Sequence, residues 1–112
     1  MRYQAPETTV LMINCESHTV PDTALEVVHH TRVDVYAYGL VLYEITHGRI
    51  AFEQHSPLSA ACKAMQGKRP PLALYPEHMP LGAVIEQCWH SQPERRPDME
   101  SVVKALSVLP LA

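Results

Sequence analysis

The chain has 112 residues, which is enough for one small domain but excludes an enzyme of two lobes. Hydrophobic residues make up 46% of it and charged residues 19%, a balance typical of a chain that folds and not of a disordered one. A formal net charge of -3 with seven histidines gives no basic stripe of the kind that a nucleic-acid partner requires, so we expect no such partner.

Cysteine usage and hydropathy favour a cytoplasmic protein. The three cysteines (Cys15, Cys62 and Cys88) are odd in number and irregularly spaced, so they make no disulfide framework and fit a reducing compartment. The amino terminus shows no secretion signal, and the longest apolar run, from Val35 to Tyr43, is far too short to cross a membrane. We therefore expect neither a membrane nor a nucleic-acid partner.

The first part of the chain predicts a short helix followed by a long loop. Pro6 suits a first helical turn, so residues Ala5 to Met12 can open a helix. Residues 13–33 are mostly polar or turn-forming and predict a loop insertion. Four potential metal ligands lie there (Cys15, His18, His29 and His30), but their spacing fits no zinc template, and we expect no metal site.

The segment from Asp34 to Thr46 carries apolar residues on every side of a helix, a pattern typical of a buried helix. A buried strand is the alternative, because β-branched and aromatic residues are plentiful there. The length of the segment favours the helix.

Three amphipathic helices are predicted after it, separated by extended connections at Arg69-Pro70-Pro71 and from Pro76 to Pro80. The first has Ser56 as its cap, Pro57 as its first residue and Gly67 as its stop, with Leu58, Ala61, Cys62 and Met65 on one face. The second runs from about Leu81 to His90, with Leu81, Val84, Ile85 and Cys88 on one face. The third opens at Asp98 as its cap and aligns Met99, Val102, Val103, Leu106 and Leu109.

Three short motifs occur in a particular order along the chain: Arg2-Tyr3-Gln4-Ala5-Pro6-Glu7, then Asp34-Val35-Tyr36-Ala37-Tyr38-Gly39, then Cys88-Trp89 with Arg96-Pro97. Together they resemble the last part of the large lobe of a eukaryotic protein kinase domain, of the tyrosine-kinase-like or serine/threonine type. The resemblance covers nearly the whole chain, so residues 1–112 are expected to form a partial kinase domain that starts within the activation segment. It implies a mainly α fold, a helical C-lobe fragment that lacks the N-lobe and the catalytic loop. The stretch from residue 8 to 33 is longer than in most kinases.

The sequence contains none of the kinase motifs that perform phosphoryl transfer. There is no Gly-x-Gly-x-x-Gly loop, no Val-Ala-Ile-Lys, no His-Arg-Asp and no Asp-Phe-Gly, all of which precede Ala-Pro-Glu in the family. We therefore assign no catalytic, cofactor-binding or metal-binding residue to this chain, and expect it to be inactive alone. An intact parent would use ATP and Mg²⁺.

The resemblance gives structural roles to the motif residues. It predicts that Glu7 of Ala5-Pro6-Glu7 forms a buried ion pair with Arg96, the arginine before Pro97. The aspartate that matches Asp34 holds the catalytic loop in kinases, and because that loop is absent we expect Asp34 to cap its own helix. Gly39 is expected to allow close approach of another segment, and Trp89 to anchor the core.

Arg2, Tyr3 and Gln4 match the end of the kinase segment that contacts the substrate. Their sequence resembles the Tyr-x-Ala-Pro-Glu form of serine/threonine kinases more than the tryptophan form of tyrosine kinases. These three residues are the candidates for contact with a protein substrate.

Two hypotheses for function follow. The first is a C-terminal kinase fragment whose intact parent phosphorylates serine or threonine in proteins, with tyrosine as the less favoured alternative. Met1 falls where kinases have a variable residue, so we expect a truncated product or a partial gene model. The second is a catalytically dead, pseudokinase-like interaction module that docks a partner on the helix from Ser56 to Gln66. We favour the fragment, because the Asp34 to Thr46 helix needs packing partners that kinases supply partly from upstream helices.

Overall fold

The structure, a computed structural model, describes residues 2–8 and 31–109, and within these ranges it is helical and has no strand. Four helices follow one another: α1 (Arg32–His47), α2 (Pro57–Met65), α3 (Met79–Cys88) and α4 (Met99–Ser107). Two 3₁₀ turns, Pro76–His78 and Pro93–Arg95, precede α3 and α4, and residues 6–8 form a further helical turn. The predicted mainly α class is confirmed. Residues 9–30, with most of the predicted insertion and the potential ligands Cys15, His18, His29 and His30, lie outside the described residues.

Helix α1 is the central element and confirms the predicted helix over the alternative strand. Its buried side chains form the core against α3, and they comprise Val35, Tyr36, Leu40, Leu42 and Tyr43. The helix ends at His47 and is capped by Gly48, which adopts φ +65° and donates its N–H to the Glu44 carbonyl at 2.9 Å.

Two expectations about α1 are wrong. The helix begins at Arg32 with Thr31 in the cap position, so Asp34 lies inside the first turn and does not cap it. An exposed carboxylate there still interacts favourably with the helix dipole. The helix is also not buried all round, because Val41 and Ile45 are 43% and 73% exposed.

Helix α2 has the predicted ends but a different buried face. The Ser56 hydroxyl accepts a hydrogen bond from the Ser59 N–H at 3.2 Å, and Gly67, at φ +82°, follows the last turn. The predicted apolar face is wrong except for one residue: Ala60, Ala61 and Ala64 are buried, whereas Leu58, Cys62 and Met65 are exposed.

The buried faces of helices α3 and α4 agree better with the predicted faces. All four residues predicted for the α3 face are buried, although the helix runs two residues earlier than expected and Pro76–His78 is a 3₁₀ turn, not an extended connection. In α4 the Asp98 carboxylate accepts from the Ser101 N–H at 2.7 Å, as predicted for a cap. Val102 is buried and Leu106 and Leu109 pack on the core, but Met99 and Val103 are exposed, which corrects the predicted face.

Candidate functional site

The amino-terminal segment is held against the turn that follows α1. The Arg2 guanidinium donates to three backbone carbonyls, those of Ala51 at 2.8 Å, Phe52 at 2.7 Å and His55 at 2.9 Å. Phe52 has φ +53°, a left-handed conformation that is unusual for an aromatic residue. Charge-assisted bonds from one planar donor therefore hold residues 51–55 in a strained turn.

Tyr3 makes the second attachment of this segment. Its hydroxyl donates to the Glu44 carboxylate, at 2.6 Å from Oε2 and 2.9 Å from Oε1, and the same carboxylate accepts the Ala51 N–H at 3.1 Å. The bond to Glu44 raises the pKa of the Tyr3 phenol above its usual value of 10.0. Glu44 thus links Tyr3 to the turn that Arg2 binds.

Glu7 and Arg96 form the predicted ion pair. Two parallel bonds join them, Nη1 to Oε1 at 2.8 Å and Nη2 to Oε2 at 2.9 Å. The Arg96 side chain is completely buried, and its remaining donors bond the carbonyls of His90 at 2.7 Å and Arg32 at 3.0 Å. The pair joins the amino-terminal segment, the start of α1 and the approach to α4 around one guanidinium.

A second arginine, Arg69, packs on the same aromatic ring as Arg96. The guanidinium groups of Arg96 and Arg69 lie 5.1 and 5.2 Å from the centroid of the Tyr36 ring, an arrangement that cation–π attraction favours. Arg69 also donates to the carbonyls of Trp89 at 2.8 Å and Ala64 at 3.1 Å. Burial raises the pKa of the Tyr36 phenol and lowers that of Arg69, which nonetheless stays charged.

Helices α1 and α3 also pack closely against each other. A Cβ on Gly39 would lie 2.8 Å from the Cys88 Cβ, so no larger residue fits there, as predicted. Trp89 is buried against Tyr43, with their ring centroids 5.9 Å apart. Burial raises the pKa of the Cys88 thiol to about 11, which makes it a packing residue and not a nucleophile.

Comparison with known proteins assigns this chain to a protein family. A family model described as protein tyrosine and serine/threonine kinase matches residues 5–106. The chain belongs to that kinase family. The match begins at the Ala-Pro-Glu motif, whose glutamate holds Arg96, and ends within α4.

Known kinases from distant organisms are similar to this chain over most of its length. It is 34% identical over 87 residues to the serine/threonine/tyrosine-protein kinase HT1 of Arabidopsis thaliana, which covers 77% of this chain and 22% of the plant kinase. It is 35% identical over 91 residues to the dual specificity protein kinase pyk3 of Dictyostelium discoideum, covering 80% of this chain and 7% of that kinase. It is 34% identical over 92 residues to the leucine-rich repeat serine/threonine-protein kinase 1 of Mus musculus, covering 80% of this chain and 4% of that kinase. The chain therefore spans less than a quarter of each of these kinases.

The kinase motif residues divide into two groups in the structure. Glu7, Arg96, Gly39 and Trp89, with the buried Ala5 and Pro6, surround the core as the resemblance implied. Arg2 and Tyr3 make the bonds within the chain described above, so their part in substrate contact stays a prediction, as does that of Gln4. Pro97 restricts the backbone of Arg96, which is extended at φ -78° and ψ 142°.

Sequence reasoning missed three residues of this site: Arg69, Glu44 and the aromatic platform Tyr36. One signal was present, because Arg69-Pro70 repeats the arginine-proline pair of Arg96-Pro97, and both arginines pack on the Tyr36 ring. Within residues 2–8 and 31–109, no three His, Cys, Asp or Glu side chains are grouped so that they could hold a metal ion. No helix in the same ranges is long and apolar enough to span a membrane.

Proposed function

We propose that this chain is the C-terminal part of a protein kinase domain whose intact parent transfers the γ-phosphate of ATP to serine or threonine in proteins. The observation that carries the proposal is the bidentate Glu7–Arg96 pair, which joins the Ala-Pro-Glu motif to the last helical region within the range that the kinase model matches. Most of the relatives are named as serine/threonine kinases, which supports serine and threonine as the residues that the parent phosphorylates.

The chain alone is proposed to be inactive, since its sequence has neither a nucleotide-phosphate loop nor the acids that hold magnesium. ATP, Mg²⁺ and protein substrates belong to the parent. The parent is proposed to be cytoplasmic, which suits the free thiols of Cys62 and Cys88.

The test compares the 112-residue chain with the longest reading frame that contains it. Each is incubated with γ-labelled ATP, Mg²⁺ and dephosphorylated casein, and the labelled residues are identified by phosphoamino-acid analysis. We expect label on serine and threonine with the long product and none with the chain. A parent without transfer activity, or label incorporated by the chain alone, contradicts the proposal.

A second candidate, a catalytically dead interaction module, is favoured by the surface of α2. Leu58, Cys62 and Met65 lie at positions i, i+4 and i+7 and form an exposed, mostly apolar stripe along the predicted docking surface from Ser56 to Gln66. This candidate requires the 112-residue chain to melt cooperatively as a stable monomer. Broad unfolding with strong binding of a hydrophobic dye contradicts it.

A further inference from the structure

A cavity of about 350 Å³ lies between the turn after α1, helix α2 and the segment Lys68–Pro71. This volume falls within the range of sites that hold small ligands or single peptide side chains. Neither Glu7 nor Arg96 lines the cavity, and nor do the other motif residues assigned above, although Arg69, which packs on Tyr36, does.

The cavity is cationic in a chain that carries a net negative charge. Arg49, Lys63, Lys68 and Arg69 line it, against one acidic residue, Glu53. Glu53 reaches only the Arg49 Nε, at 3.9 Å, and both side chains are about half exposed. Among the described residues Lys63 and Lys68 have no ion-pair partner, so their charges are available to a ligand.

Apolar groups line the other part of the same cavity. They include Ile50, which is 52% exposed, and the rings of Phe52 and Pro70. A free inorganic anion makes no use of such groups, whereas a peptide can place an apolar side chain on them and carboxylates on the lysines. Charge and shape together therefore favour a peptide ligand.

The cavity is also held in shape before any ligand arrives. Phe52 and His55, which line it, are in the turn whose carbonyls bind the Arg2 guanidinium. Fixing a strained turn in advance lowers the conformational cost of binding.

We propose that this cavity binds an acidic peptide segment of a partner protein, with an apolar residue packed on Ile50 and Phe52 and carboxylates paired with Lys63 and Lys68. Such binding needs no phosphoryl transfer and thus goes beyond the proposed function. The surface differs from the exposed stripe on α2, because Lys63 lies on another side of that helix from Leu58 and Met65.

The test measures fluorescence anisotropy of a labelled peptide, Asp-Glu-Phe-Asp-Glu, with the full 112-residue chain. The double variant Lys63→Ala/Lys68→Ala is compared with Lys104→Ala/Arg95→Ala, which removes two positive charges that do not line the cavity. We expect the Kd of the first variant to rise by about tenfold at low salt, while the control changes by less than about twofold. Equal Kd values for the two variants overturn the proposal.

A second arm separates a peptide from a simple anion. Ile50→Ser should weaken binding of the peptide, and replacing its phenylalanine by glycine should do the same, whereas competition by inorganic phosphate should be weak in every case. Far-ultraviolet circular dichroism checks that each variant is as helical as the parent chain. If phosphate displaces the peptide at low millimolar concentration and Ile50→Ser has no effect, the cavity is a site for small anions and the peptide proposal is wrong.

Discussion

At the scale of single residues, Arg96 connects parts of the chain that are far apart in sequence. Its side chain is buried, and its donors reach Glu7, the Arg32 carbonyl and the His90 carbonyl. Burying a guanidinium costs free energy unless its donors are paired, and here a carboxylate and several carbonyls provide that pairing. The stability of the fold therefore depends on Glu7, which lies 89 residues away in sequence.

Glu7→Ala removes the only carboxylate that the described structure places on Arg96. The variant leaves a buried positive charge without its counter-ion, and loss of one partner of such a pair costs about 3 to 5 kcal/mol. We expect the free energy of unfolding to fall by that amount, or the chain not to fold where its stability is smaller. Urea unfolding followed by Trp89 fluorescence measures the change.

Glu100→Ala is the matched control, because Glu100 pairs with Lys104 at 3.4 Å on the exposed surface of α4. An exposed pair of this kind contributes at most about 1 kcal/mol. Similar losses in the Glu7 and Glu100 variants would show that the buried pair has no special weight.

The two described cysteines should differ in reactivity. Cys62 is exposed on α2, whereas Cys88 is buried and burial raises its pKa to about 11. Alkylation requires the thiolate and access to it, so iodoacetamide at pH 8 should modify Cys62 much faster than Cys88 in the folded chain. Peptide mass spectrometry measures the two rates separately, and in urea they should become similar. Equal rates without denaturant would mean that Cys88 is not enclosed between α3 and α1.

At the scale of helices, local signals predicted the starts of α2 and α4 better than their buried faces. Ser56 and Asp98 cap their helices as predicted, because capping depends on a few neighbouring atoms. The face of α2 could not be predicted from hydrophobicity, since its buried residues are alanines and its larger apolar residues face solvent. Which residues of α2 are buried depends on tertiary contacts, and the sequence of the helix alone does not contain them.

In the candidate site, too, some contacts could be predicted from the sequence and others could not. The Glu7–Arg96 pair could be predicted because two recognisable motifs carry its members. The contacts of Arg2 could not, because their acceptors are backbone carbonyls in the turn 51–55, and a carbonyl has no sequence signature. The positive φ of Phe52 was equally hidden, since the residue type argues against it.

Gly39→Ala tests how closely α1 and α3 approach. Alanine is the better helix former by about 1 kcal/mol, yet its Cβ would lie 2.8 Å from the Cys88 Cβ, which belongs to a rigid helix. Overpacking of this kind costs about 1 to 3 kcal/mol, so we expect a net loss of stability. Thermal unfolding monitored by circular dichroism shows whether the variant is less or more stable than the parent chain.

Gly82→Ala is the matched control for that experiment. Gly82 is also buried and helical, but an added Cβ would meet the mobile end of the Leu74 side chain at 3.3 Å. This variant should be neutral or slightly stabilised. If both variants gain stability, the contact between α1 and α3 is looser than 2.8 Å implies.

At the scale of the whole molecule, alkaline pH should destabilise the fold. Burial raises the pKa of Tyr36 and Tyr43 above 10.0 and that of Cys88 to about 11. The unfolded chain therefore loses these protons at lower pH than the folded chain, so the stabilisation is complete below the unfolded pKa values and is lost as pH rises through the folded ones. Urea midpoints should fall between pH 8.5 and 11, and midpoints that stay constant would contradict the burial of these groups.

The exposed edge of α1 affects how the whole chain behaves in solution. Ile45 and Val41 lie four residues apart on one side of the helix that otherwise forms the core, so together they present a continuous apolar strip. The 112-residue chain should therefore bind a hydrophobic dye such as anilinonaphthalene sulfonate and associate with itself. Val41→Lys/Ile45→Lys should reduce both effects without lowering helicity, because lysine is a good helix former and both positions face solvent. Dye fluorescence, sedimentation velocity and circular dichroism measure dye binding, self-association and helicity.

Leu40→Lys is the contrasting variant, since Leu40 is fully buried in the same helix and its replacement should unfold the chain. If the double variant unfolds as Leu40→Lys does, the edge is covered by protein in solution and the chain contains its own packing partner for α1.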